Sequence, residues 1–291
     1  MRRNNKERVK MKQTSNRQYC WWLFISLFIL VAYGAAYGED MRHVATSGLF
    51  AHGVDPWLLP SKPHTLWEGN HLIAIVRGNP QRKEIALTFD DGPHPLFTLR
   101  LLALLKMLHV RATFFVVGWK VDQAPWVLQR MLEDGNEIGD HTYHHFDLKS
   151  GPPELTAAEI EMCNDAIYRA CGYTPLFFRP SGGQFDPAVI HEAAAHHMIT
   201  VLWTDDPADY ESPPADVIED RLLHHVSPGA IILLHDGIEQ TYEMLPDFIE
   251  RMRRAGYTFV TLREMIEHLD NTPHVERVQL ASFRRFNTRT K

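Results

Sequence analysis

Two aspartates in tandem, Asp90 and Asp91, stand before a glycine in TFDDGPH, and two histidines, His141 and His145, stand four apart in HTYHH. Two imidazoles and one carboxylate form the donor set of a hydrolytic metal centre that keeps a position open for water. On a helical turn the i, i+4 spacing would place both imidazoles on one face. Asp91 is the natural carboxylate. Asp90, pointing to the other side of an extended strand end, would serve as base toward the attacking water. One divalent metal is implied, and Asp-His-His suits zinc, although cobalt, nickel and iron accept similar donors. Taken singly, each signal has a plainer reading. Asp-Gly is a routine turn, and histidines four apart are common on helix surfaces. His235, ending an apolar run, reads equally as a satisfied core histidine, and Arg179 as an ordinary salt-bridging arginine.

What lifts the odds is the set of elements that must position these residues. EIALTF (84–89), ATFFVVG (112–118), NEIG (136–139), LFFRP up to Pro180, MITVLW (198–203), AIILLHD (230–236) and GYTFVTL (256–262) read as strands. Between them 98–110, 125–135, 156–171, PAVIHEAAAHH, 216–226 and 242–255 have helical apolar spacing, and a last helix runs to about His268. Alternating strand and helix at this spacing predicts an α/β fold, a distorted (β/α)7-type barrel with a mostly parallel sheet. In such barrels the site lies beyond the carboxyl ends of the strands. Five strand ends carry titratable residues: Asp90 and Asp91; His141, His144 and His145; Arg179; Asp205, Asp206 and Asp209; His235 and Asp236.

Charge is unevenly spread. The 291 residues carry a net −6, which gives no electrostatic case for nucleic-acid binding. Yet residues 1–18 hold seven basic residues against one acidic, 19–38 hold no charge, and 39–291 hold 23 basic against 35 acidic. A basic segment before an apolar one is a cleaved export peptide or an uncleaved membrane anchor. Either places the remainder outside the cytoplasmic membrane. The expected division is a leader over 1–38, an irregular lead-in over 39–71, a catalytic domain over 72–270 and a basic tail over 271–291. Membrane contact would run through residues 19–38 if these are retained. No obligate protein partner is evident. Cys163 and Cys171 lie eight apart in a helical stretch, about 12 Å of rise, too far for a disulfide, so both should be buried free thiols. Cys20 precedes the apolar core of the leader and is not a lipoprotein-type cysteine.

LTFDDGPH, HTYHH, FRPSGG, WTDDPADY and ILLHDG, in this order, resemble the five motifs of the polysaccharide deacetylases, the NodB-homology domain of carbohydrate esterase family 4. GYTFVTLREM resembles that family's closing strand, and the likeness covers roughly residues 72–268. It implies removal of acetyl groups from N-acetylated sugars of a glycan, or of O-acetyl groups from xylan. It implies metal ligation by Asp91, His141 and His145, with Asp90 as base. It implies His235 as the acid that protonates the leaving amine, Arg179 orienting Asp90, Asp209 orienting His235, and Leu233 lining the acetyl pocket. A backbone N–H near Ser181 and Gly182 would complete an oxyanion site. Two motifs depart from the family pattern. RPSGG stands where RPPxG is usual, and Asp209-Tyr210 where Asp-Trp is usual. Ser181, Gly182 and Tyr210 therefore put the substrate walls in doubt, and with them the glycan, whether peptidoglycan, chitin-like or poly-N-acetylglucosamine. The expected function is an exported metal-dependent N-acetylhexosamine deacetylase. An O-acetyl esterase and a catalytically silent glycan-binding protein are the alternatives.

Overall fold

The computed structural model describes residues 65–68 and 71–269. The expected leader over 1–38, most of the expected lead-in and the basic tail lie outside the described residues. Among the described residues no helix is long and apolar enough to cross a membrane.

Among the described residues nine strands form one sheet: β1 (Thr65–Glu68), β2 (His71–Ile75), β3 (Glu84–Gly92), β4 (Thr113–Val116), β5 (Glu137–Asp140), β6 (Phe177–Phe178), β7 (Ile199–Val201), β8 (Ala230–His235) and β9 (Thr258–Phe259). Their order is β1-β2-β7-β6-β5-β4-β3-β8, with β9 on β3. Only β1 and β2 pair antiparallel; every other ladder is parallel. Among the described residues the α-helices are α1 (Phe97–Met107), α2 (Gly118–Gln123), α3 (Pro125–Glu133), α4 (Pro153–Cys171), α5 (Pro187–Ala195), α6 (Ala215–His225), α7 (Glu239–Arg254) and α8 (Leu262–Glu267).

The α/β class and the mostly parallel sheet agree with the sequence reading, but the seven-unit barrel needs amendment. MITVLW keeps strand pairing only to Val201. The chain then crosses over, and Asp205 bridges to Ile232 of β8, its carbonyl accepting from Leu233 N–H at 2.9 Å. That bridge ties the segment after β7 to β8, and Gly78 N–H, after β2, donates to the Gly229 carbonyl just before β8 at 2.8 Å. GYTFVTL supplies no full stave either. Its two paired residues meet Glu84 and Ile85 at the start of β3, on the side that β4 takes further along. Regular structure also begins before residue 72, since β1 lies inside the expected lead-in and pairs with β2, which starts at its last residue. The short helix α2 was not read from sequence.

Alternation along the strands separates two cores. Ile85, Leu87 and Phe89 of β3, with Ile232 and Leu234 of β8, pack against Leu101, Leu102 and Leu105 of α1. The other face carries Ala86 of β3, Phe115 of β4, and Ile231 and Leu233 of β8, packed with Leu262 and Met265 of α8. The spacing 98, 101, 102, 105 of buried α1 residues is the helical period that the sequence showed. Truncating one of these leucines to alanine should cost about 2–5 kcal/mol. The same period-2 rule carries polar residues upward on the second face: Ala86, Thr88 and Asp90 on β3, and Ile231, Leu233 and His235 on β8. Asp90 and His235 are register partners. Cys163 and Cys171, the cysteines among the described residues, are free; Cys163 is buried as expected, whereas Cys171, at the end of α4, is partly exposed.

Candidate active site

Asp90 and Asp91 end β3, where the ladder to β4 shifts register between Phe89 and Gly92. Asp91 takes a left-handed conformation (φ 70°) at that shift. The expected extended alternation therefore fails: both carboxylates face His141, with Asp90 Oδ2 and Asp91 Oδ1 each 3.6 Å from its Nε2. Lys120 Nζ donates to the Asp91 carbonyl at 2.7 Å and so holds the left-handed turn.

HTYHH is not a helical turn. His141 follows β5, and Thr142 (φ 66°) and His145 (φ 63°) are both left-handed. Such residues cost about 1–2 kcal/mol each without a glycine, so the loop needs compensation. It comes from hydrogen bonds onto consecutive backbone donors. Thr142 N–H donates to Asp140 Oδ1 at 2.7 Å, and His145 N–H to Thr142 Oγ1 at 3.0 Å. Glu159, on α4, accepts from Tyr143 N–H at 3.0 Å and His144 N–H at 2.7 Å. The resulting path brings one ligand atom each from Asp91, His141 and His145 within 4.8 Å of one another. His145 Nε2 lies 3.1 Å from Asp91 Oδ1. The sequence spacing was right about convergence and wrong about the conformation that achieves it.

The protonation pattern is fixed by neighbours. A carbonyl can only accept, so the 2.8 Å contact of His141 Nδ1 with the Arg179 carbonyl makes Nδ1 the donor. The Nε2 lone pair then faces the carboxylates, the arrangement a metal requires. Burial lowers the His141 pKa against the pull of Asp90 and Asp91. Burial raises the Asp91 carboxyl, but the hydrogen bond from His145 and the nearby imidazoles outweigh it and hold the group well below its ordinary range. These donors fit a small divalent cation: one anionic oxygen and two neutral imidazole nitrogens.

Arg179 directly follows β6 and is fully buried. Its Nη1 donates to Asp90 Oδ1 at 2.7 Å and to Thr88 Oγ1 at 2.8 Å, and its Nε to the Val201 carbonyl at 3.0 Å. The guanidinium lies 4.1 Å from the Phe115 ring centroid. One oxygen of Asp90 is thus anchored while the other faces His141. Across the site, His235 Nδ1 donates to Asp209 Oδ1 at 2.7 Å. Asp209 Oδ2 also accepts from His235 N–H and Thr241 Oγ1. Burial opposes protonation of His235. The Asp209 hydrogen bond and charge, with Asp90 and Asp91 beyond, carry its pKa up to about 9. Tyr210, largely exposed, lies edge-on to His235 at 5.3 Å between centroids. Leu233 is buried on the same face of β8, two residues below His235.

Ser181 turns its hydroxyl inward to Thr142 Oγ1 at 2.8 Å, so only its backbone is left to offer a substrate. Gly182 (φ 58°) leaves open space where a side chain would stand, with only Gln184 Cγ at 3.9 Å. Other rim residues are drawn away. His144 binds Glu159, Asp205 serves the sheet closure, and Asp236 binds Tyr242 and Thr98. Sequence reasoning missed Asp140, Thr142, Glu159 and Lys120. For Glu159 a signal existed: it falls among the buried positions Thr156, Ile160 and Cys163 of α4, where a carboxylate needs a reason.

The profile of the family described as polysaccharide deacetylase matches residues 77–201. A peptidoglycan-N-acetylglucosamine deacetylase of Bacillus cereus is 35% identical over 191 residues, covering 64% of this chain and 89% of that protein. The chain belongs to the polysaccharide deacetylase family. This deacetylase, a hydrolase of carbon–nitrogen bonds, is also 30% identical over 246 residues to the peptidoglycan-N-acetylmuramic acid deacetylase PdaA of Bacillus subtilis, covering 82% and 92% of the two chains. A solved CE4 family pseudoenzyme from Bacillus anthracis matches at 27% identity and a TM-score of 0.64, covering 69% of this chain and 76% of that one. The scaffold of the deacetylase thus also occurs in a member described as catalytically silent.

Proposed function

We propose that this deacetylase removes N-acetyl groups from N-acetylhexosamine units of an envelope glycan, peptidoglycan first, in a metal-dependent hydrolysis. One observation carries the reading: Asp91, His141 and His145 converge, Asp90, fixed by Arg179, faces His141, and His235, fixed by Asp209, is the register partner of Asp90 on the neighbouring strand. Relatives acting on peptidoglycan support the substrate class.

Asp91, His141 and His145 would hold the ion, with zinc best suited to the donor set. When bound, a divalent ion supplies Lewis-acid polarisation of a carbonyl and lowers the pKa of water. The chain's own residues do the rest. Asp90 Oδ2 takes the proton of the attacking water while Arg179 keeps the carboxylate from turning. Amide cleavage also needs a proton on the departing nitrogen. His235, cationic at neutral pH with Nδ1 held by Asp209, delivers it from Nε2. Backbone near Ser181 and Gly182 lines the acetyl side, Leu233 lies below, and Tyr210 walls the groove. The open space at Gly182 suits a bulky sugar substituent at that wall.

The uncharged stretch 19–38 behind a basic segment supports export, with the catalytic domain outside the membrane. Alkaline phosphatase fused after Lys291 should be active; an inactive fusion beside a working cytoplasmic reporter overturns this placement. Acetate release from peptidoglycan, acetylated chitooligosaccharide and acetylated xylan tests the reaction, each before and after chelation. Release from the first two, lost on chelation and restored by zinc, is expected. Release from xylan alone would make the chain an O-acetyl esterase, and no release at all would make it a silent binder.

A further inference from the structure

The histidine loop holds its shape through a residue that is neither ligand, base nor acid. Glu159 lies on α4, fourteen positions after His145, and its side chain is only 1% exposed. One carboxylate oxygen accepts from the N–H groups of Tyr143 and His144 together; the other lies 2.7 Å from His144 Nδ1. These are the two residues between the left-handed positions Thr142 and His145. With Asp140 on Thr142 N–H and Thr142 Oγ1 on His145 N–H, every backbone donor from 142 to 145 ends on a side-chain oxygen. Glu159 alone among these acceptors lies on a helix, and it joins α2, whose Gly118 and Trp119 N–H groups donate to the Thr142 and Tyr143 carbonyls, in tying the loop to the helical layer. A buried carboxylate is tolerated where charge-assisted hydrogen bonds satisfy it, and here those bonds all land on the loop.

We propose that Glu159 is a positioning residue of the metal centre, setting the convergence of His141 and His145 by clamping the backbone between them. The inference rests on the assignment of Asp91, His141 and His145 as ligands. Groups that orient ligands from outside the coordination shell typically change metal affinity or activity by about 10–100-fold when removed. Glu159→Ala should therefore weaken zinc binding about 10–100-fold, with kcat largely restored at saturating zinc. Glu159→Gln keeps an oxygen for the two N–H groups and should fall between Glu159→Ala and the wild type.

The test is a zinc titration of the full-length protein against a competing chelator, with the cobalt absorption spectrum as a report on ligand geometry. Thermal unfolding of the metal-free forms is measured beside it. Weakened affinity and an altered cobalt spectrum, at temperatures where the variant is folded, support the inference. Wild-type affinity and spectrum in a folded Glu159→Ala, even with lowered thermal stability, would reduce Glu159 to a structural tie and overturn it. Should Glu159→Ala fail to fold, Glu159→Asp carries the test with the same two outcomes, keeping the charge but falling one methylene short. A wild type that binds no zinc overturns the ligand assignment itself, whatever the Glu159 variants do.

Discussion

The two ends of the parallel sheet use the same chemical materials for different purposes. Both hold buried carboxylates and left-handed residues. At the lower end, where helices return to strands, the left-handed residues His109, Gly135, His197 and Gly256 each follow a helix and end it. The carboxylates there end on basic side chains, although Glu84 Oε2 is buried with no hydrogen-bond partner. Glu137 accepts from Thr113 Oγ1 and lies 3.3 Å from Arg263 Nε, and Glu84 pairs with Arg82 at 2.8 Å. At the upper end the left-handed residues include Asp91 and His145, members of the site itself. Two carboxylates there, Asp90 and Asp91, face the imidazoles of the site, whereas Asp209 and Asp236 are satisfied on both oxygens. Asp90 is anchored by Arg179 yet faces His141, and Asp91 meets two imidazoles. Polar groups paired off among themselves stabilise; polar groups held by one atom and left open at another are poised for a ligand or a proton.

The sharpest break of this contrast is Asp90→Asn. It should cut kcat by about 10²–10⁴-fold, the usual contribution of a general base, while bound metal, measured by elemental analysis, stays unchanged. Loss of metal would mean that Asp90 is a ligand. Next comes Arg179→Met. It strands Asp90 as an uncompensated buried charge and should destabilise the fold by about 3–5 kcal/mol, read by denaturant unfolding; a loss under 1 kcal/mol would deny that the upper end relies on this pair.

A smaller effect is expected from Asp209→Asn. His235 is raised from 6.5 to about 9. A raised pKa means that the protonated form is favoured in the fold. Its stabilisation is complete below about 6.5 and fades as pH rises through about 9. The alkaline limb of kcat should accordingly lie near 9 in the wild type and move toward 6.5 in Asp209→Asn. An unmoved limb would remove His235 as the acid. The smallest effect belongs to the lower end. Burial raises the Glu137 carboxyl while Arg263 and Thr113 oppose it. Glu137→Gln should cost about 1 kcal/mol, as for a single buried hydrogen bond, with kcat unchanged. A fall in kcat would show that the two ends are coupled.

Residue periodicity was enough for most elements. Alternation along EIALTF and AIILLH and the 3–4 spacing of α1 are short-range patterns, and each dictates which face a residue must bury. Boundaries were less legible. MITVLW reads as six strand residues, but the sheet's curvature takes Asp205 to β8 after three, and no local pattern encodes that closure. GYTFVTL is apolar enough for a stave, yet only two of its residues find a partner, because β4 occupies β3 further along.

The candidate site divides in the same way. The residues that meet at the candidate site, Asp90, Asp91, His141, His145, Arg179 and His235, were legible because titratable side chains at strand ends are chemically costly to place and so stand out. Their conformations were not. HTYHH has the spacing of a helical face, and only the carboxylate of Glu159, arriving from α4, together with Asp140 and Thr142, makes the left-handed path cheaper than the helix. The sequence by itself determined the alternation of elements, the polar residues at their ends and the family. The tertiary structure alone decided how the ends meet, which oxygen of each carboxylate stays open, and how His235 gains its high pKa. Those depend on partners tens of residues away, and hydrogen bonds and Coulomb attraction are set by distance in space, to which order along the chain is blind.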